Sequence, residues 1–210
     1  MTGQEALDML MARLKRSNQA LRARLLLEMK EYQRVTLEKG AVMPDFLIVR
    51  DEIIALTAGS RRFTLPATFL RELDEDETLW ILDDDSEYHP MTKVGFDDTE
   101  FELSATGELP LKYALEGLYG YTFPQPTVDR TLKMSYYSSG GVIADDAVET
   151  VWLKHASDLI IGGTGVIGAS LYVRDPDALA VFAAMETAGR NRLIIEQTAR
   201  QEAGRSRRMG

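Results

Sequence analysis

Apolar residues follow three rhythms along this chain, and each predicts a different kind of element. Through the first 40 residues, Leu7, Met11, Leu14, Asn18, Leu21, Leu25, Glu28, Tyr32 and Val35 fall at alternating steps of four and three. Such a seam, with polar breaks at Asn18 and Glu28, predicts one long N-terminal helix or two abutting ones within residues 1–45. Thr2 and Glu5 stand at capping-box spacing, and Gly40 with Pro44 predicts the stop.

From residue 46 to 137 the period falls towards two, which predicts a β-rich insertion. Residues 46–58, FLIVRDEIIALTA, read as strand from their β-branched content, with helix as the alternative. Short strands are expected at Arg61–Leu65 and Leu79–Leu82, turns at Gly59-Ser60 and Ala67–Leu70, and a short helix at Lys93–Leu103 packing Phe96. The most strand-like stretch runs from Gly107 to Tyr137. There Leu132, Met134 and Tyr136 share one face, with Thr131, Lys133, Ser135 and Tyr137 on the other, while Tyr119, Tyr121 and Phe123 alternate upstream. Pro124-Gln125-Pro126 separates the two runs and forces a turn, so the stretch predicts a β-hairpin with an aromatic-rich buried face.

Helical spacing returns over residues 138–203. Asp145 and Asp146 are candidate caps for a helix from about Ala147 to Ile161, interrupted by Gly162-Gly163, with a second short helix to about Val173. Asp175-Pro176 then starts a long last helix to about Ala203, with Glu186/Arg190 and Glu196/Arg200 as i,i+4 pairs. Gly204 opens a flexible basic tail over 204–210. The predicted fold class is α+β: a helical bundle core formed by the N- and C-terminal helices, with an inserted β-rich subdomain.

Composition sharpens this. A net charge of −9 argues against general nucleic-acid binding. The charge is uneven: residues 72–102 hold thirteen acids and Lys93, residues 13–39 hold eight bases and three acids, and the last seven residues hold three arginines. Without cysteine there is no disulfide framework or thiolate metal site. The first residues, MTGQE, lack the features of a signal peptide, no apolar run is long enough for a membrane span, and the expectation is a soluble chain.

Candidate chemistry is sparse. Gly163-Thr164-Gly165-Val166-Ile167-Gly168 matches G-x-G-x-x-G, the spacing of a dinucleotide loop. A long helix follows it rather than the strand such a site needs, so the glycines read better as a break between two short helices with close backbone packing. A nucleotide-binding enzyme using the Gly163–Gly168 turn is the alternative. Asp74–Glu77 and Asp83–Asp85 are oxygen-rich but lack calcium-loop spacing. His89 and His155 have no serine, thiol or carboxylate at motif spacing. No catalytic, cofactor-binding or metal residues are assigned. The arginine-bearing tail suits a groove on a protein partner, and a DNA-binding module is a third reading.

Several pieces, taken in order, resemble the tailed-phage head-to-tail adaptor family. They are Phe63-Thr64-Leu65-Pro66-Ala67-Thr68-Phe69-Leu70, Leu109-Pro110 with Tyr113, Phe123-Pro124-Gln125-Pro126, Leu132–Tyr137, Asp145-Asp146 with the helices to Val173, and the arginine-bearing C-terminal helix. The resemblance covers about the last two-thirds of the chain. It implies a structural virion protein without enzymatic activity or cofactor. It implies a ring, typically of twelve copies, that docks on the portal protein and extends the DNA channel. It further implies attachment of tail proteins (nozzle, stopper or tail tube), duplex DNA met only in passage, and no membrane. Its place would be the head–tail interface of the virion, with assembly in the host cytoplasm. The portal-docking candidates are Arg205, Arg207, Arg208 and Met209. An acidic conduit would repel DNA and let it slide. The basic 13–39 and acidic 72–102 segments would suit contacts between neighbouring copies.

Overall fold

The computed structural model describes residues 1–40, 43–73, 78–95, 106–107 and 109–208, with side chains described through residue 199. The fold is α+β and divides into two compact units, Met1–Leu47 with Ser139–Gly210, and Ile48–Ser138.

In the helical unit, α1 spans Gly3–Arg13 and α2 spans Gln19–Glu31. The capping box forms: the Glu5 amide donates to Thr2 Oγ1 and the Thr2 amide to Glu5 Oε2. Of the two readings of the seam, two abutting helices form, because Asn18 is a cap. Its Oδ1 accepts the Ala20 amide at 2.8 Å, and Lys15 ahead of it takes φ +54°. What looked like a polar break in a seam is the start of a second helix. Leu7, Leu10, Leu14, Leu25 and Met29 bury the shared face. A π-helical turn, Tyr32–Leu37, follows α2, and a 3-10 turn, Asp45–Leu47, closes the segment.

The second half carries α3 (Val151–His155), α4 (Ser157–Ile167), a π-helical turn Gly168–Val173, and α5 (Pro176–Arg208). Here the expected boundaries shift. The first helix starts at Val151 with Thr150 as its cap, since Asp145 is taken by Arg22. The break falls at Ala156, and the chain runs helically straight through Gly162-Gly163. Asp175 Oδ1 accepts the Asp177 and Ala178 amides, both at 3.0 Å, and so fixes the start of α5. The α5 backbone continues past Ala203 through Gly204 to Arg208. Glutamine, glutamate, alanine and arginine around Gly204 are good helix formers, and cations suit the negative helix end.

Among the described residues the second unit holds eleven strands: β1 Ile48–Leu56, β2 Arg62–Thr64, β3 Phe69–Glu72, β4 Leu79–Leu82, β5 Tyr88–Pro90, β6 Thr92–Lys93, β7 Thr106–Gly107, β8 Lys112–Glu116, β9 Tyr119–Phe123, β10 Gln125–Pro126 and β11 Arg130–Ser138. The expected Ala67–Leu70 turn yields to strand from Phe69. The helix expected at Lys93–Leu103 starts on β6 instead, and its part from residue 96 lies outside the described residues.

The expected hairpin across Pro-Gln-Pro does not form. β9 and β11 lie in different sheets. β9 pairs β8 and β2 in the sheet ordered β2-β9-β8-β6, while β11 pairs β1 on one side and β4 and β3 on the other. The hairpin is instead β8–β9, whose two-residue loop Gly117-Leu118 begins with Gly117 at φ +60°. A glycine at the first central position is what such a tight loop favours. The prolines do turn the chain, but they send it to a second sheet. Leu132, Met134 and Tyr136 are buried as expected, in a core with Leu56, Phe63, Leu79, Ile81 and Tyr113. On β9 the aromatic face is the less buried one at Tyr119 and Tyr121. Arg62 stacks over Tyr119 at 4.5 Å, and the Phe63 ring occupies the space a side chain at Gly120 would need.

Candidate functional site

The helical unit is organised on α4. Its middle is buried all round, and its glycines let three partners approach the backbone. A Cβ at Gly162 would stand 2.5 Å from the Glu186 amide nitrogen on α5, at Gly163 2.0 Å from the Tyr32 ring, and at Gly165 2.1 Å from the Phe182 ring. Gly189 repeats the arrangement from the α5 side against Leu159. The G-x-G-x-x-G spacing is therefore a helix-packing face. Gly163, Thr164 and Gly165 are buried within α4 with helical backbone, so they form no phosphate-cradling loop. The physical cause is side-chain size: only glycine leaves room for Tyr32 and Phe182 against the helix.

Three polar networks surround this packing, while Thr164 Oγ1, buried within α4, has no hydrogen-bond partner among the described residues. Tyr32 donates its hydroxyl to Glu186 Oε1 at 2.7 Å and accepts from Arg190 at 3.0 Å. Burial first, and then the neighbouring Glu186, push the Tyr32 hydroxyl well above its ordinary range. Arg22 reaches Asp145 through Nε at 2.8 Å and Nη2 at 2.7 Å, and also meets Asp8. The Asp145 carboxyl is held below its usual value, chiefly by the Arg22 hydrogen bonds. Glu38 is buried and accepts from Gln33 Nε2 at 2.6 Å; the same amide donates to the Gly141 carbonyl at 2.7 Å. Burial raises the Glu38 pKa, which Gln33 only partly offsets.

The residues weighed from sequence are dispersed. His89 on β5 has its Nε2 2.6 Å from Asp83 Oδ2 in the β4–β5 turn, and His155 at the end of α3 stacks on Phe46 at 5.0 Å. Asp84 pairs with Arg130 at 2.6 Å. Asp74–Glu77 and Met209 lie outside the described residues. Among the described residues no group of three histidines, aspartates or glutamates could hold a metal ion, and no helix is long and apolar enough to cross a membrane. Arg205, Arg207 and Arg208 lie on the last turns of α5. The last inward side-chain hydrogen bond described on α5 is earlier, Gln197 Nε2 to the Met43 carbonyl at 3.2 Å.

Sequence reasoning missed the paired networks of Tyr32, Arg22 and Gln33. Each network includes a partner more than a hundred positions away, which no local spacing announces.

The chain belongs to the SU10 adaptor protein family, whose sequence model matches residues 4–210. The match takes in the N-terminal helices, which the resemblance had reached less clearly. No curated protein matches the chain.

Proposed function

We propose that the protein is a non-enzymatic head-to-tail adaptor. It assembles as a ring on the portal protein, extends the DNA channel, and presents a surface to tail proteins. The observation that carries the portal-docking part is α5. Its backbone runs as one helix of 33 residues, about 50 Å long, and carries Arg205, Arg207 and Arg208 on its last turns. A helix end of that kind is a ready element for a groove on another subunit. The net charge of −9 supports a conduit that DNA passes without being held. The long-range polar networks of Tyr32, Arg22 and Gln33 support a scaffold role.

Imaging of the chain mixed with portal protein tests this: a ring seated on the portal is expected, and portal particles that stay bare would refute the reading. Removing residues 205–210, which includes Arg205, Arg207, Arg208 and Met209, should leave the melt unchanged and weaken docking. Equal docking by the truncated chain would assign that contact to another surface.

A further inference from the structure

The loop between α1 and α2 carries a cationic surface on this acidic protein. Arg22 is consumed within the fold by Asp145 and Asp8, and Arg34 by Glu31. Arg16 and Arg24 are not. Both are exposed, and among the described residues neither has a carboxylate within ion-pair distance. They stand on one concavity of about 430 Å³ between the start of α2 and the turn at Leu171–Val173. Leu21, Leu171 and Tyr172 complete its walls, and no acid lines it. Arg24 lies 5.7 Å from the Tyr172 ring centre, and the neighbouring Glu28 is engaged by the Tyr172 hydroxyl. Leu171 is 65% exposed, so the groove offers an apolar floor beside two cations.

The second unit carries a surface of opposite charge. The β4–β5 turn, Asp83–Glu87, is a hairpin tip with four carboxylates in five residues. It is a rigid tip. The Asp83 amide donates to the Glu87 carbonyl at 3.0 Å, the Glu87 amide to Asp83 Oδ1 at 2.8 Å, and Ser86 sits at φ +65°. His89 and Arg130 hold Asp83 and Asp84. Asp85 and Glu87 are exposed, with no cation in ion-pair distance among the described residues.

We infer that the Arg16–Arg24 groove receives the Asp83–Glu87 hairpin tip of a second copy of this chain. This rests on the ring reading above and names one contact within it. The two surfaces are unlike and lie on different units, so each copy offers one of each. That is the head-to-tail contact which closes a ring. Charge complementarity selects the partner, and the apolar floor adds burial.

Two variants test the contact: Arg16→Glu with Arg24→Glu, and Asp85→Lys with Glu87→Lys. All four positions are exposed, so far-UV melts should match the unaltered chain. Each variant alone should self-associate roughly tenfold or more weakly, because like charges then face each other across the contact. Mixed in equal amounts, the two should assemble again, alternating around the ring, since an acidic groove then meets a basic tip. Unchanged assembly by either variant overturns the inference, and so does a mixture that stays dissociated. So does a groove variant that keeps self-association and loses only binding to duplex DNA. If the unaltered chain forms no ring with or without portal protein, the ring reading itself fails; if rings form and ignore these charges, only this contact fails.

Discussion

Replacing Gly162 with alanine separates a packing face from a loop. In an unhindered helix position alanine is about 1 kcal/mol better than glycine, so Gly162→Ala would stabilise α4 if nothing faced it. The structure places the new methyl 2.5 Å from the Glu186 amide nitrogen and 2.8 Å from its Cα. Those are backbone atoms, so no rotamer change relieves the clash and α5 must move off α4. Overpacking of this kind costs about 1–3 kcal/mol, and backbone against backbone belongs at the upper end. Setting about 3 against the gain of about 1 leaves a net loss of about 2 kcal/mol. For a chain of this size that is a fall of about 4–8 °C in the melting midpoint of the helical transition. Far-UV circular dichroism measures it. Ala188→Gly, on the exposed face of α5, is the comparison and should cost about 1 kcal/mol by propensity alone. Opposite chemical changes should therefore both destabilise. A Gly162→Ala chain that melts at or above the unaltered one would refute the packing account of the glycines.

Two further substitutions read the polar networks. Glu38→Gln should stabilise the protein at neutral pH, because burial raises the folded pKa of Glu38 above its unfolded value. A group shifted that way supports the fold fully below about pH 4.3 and less as pH rises through the folded pKa. The gain should thus vanish in acid, and a gain independent of pH would count against burial as the cause. Arg22→Met should cost about 1 kcal/mol at neutral pH after allowing for solvent screening of a partly exposed pair. Asp145 is shifted the other way, so this loss should shrink as pH falls through its depressed folded pKa; denaturant titrations at several pH values give both signs.

The sequence was most legible where a residue's role is local. The Thr2/Glu5 capping box, the Asp175-Pro176 start and the alternation of Leu132, Met134 and Tyr136 are each decided within a few residues. It was least legible where a distant partner decides. β9 and β11 each alternate cleanly, but alternation gives the face of a strand and not its neighbour, so the Pro-Gln-Pro turn looked like the middle of one hairpin. Asn18 has the chemistry of a cap and also falls on a seam position, so the period left one helix and two abutting helices both open. The glycines of α4 satisfy a phosphate-loop spacing because both uses need a missing Cβ. Only Tyr32 and Phe182, one distant on each side in sequence, show which use applies.

The register of β1 and β11 has a consequence for lineage. Ile48 lies opposite Tyr137, so the chain leaves for the second unit and returns from it on neighbouring strands about 5 Å apart. A segment bounded in this way behaves as a cassette. Leu47 and Ser139 could be joined by a short link, and ninety-odd residues replaced by a different module, without rethreading the helices. Selection can then refit the second unit while the helical framework keeps its own sequence.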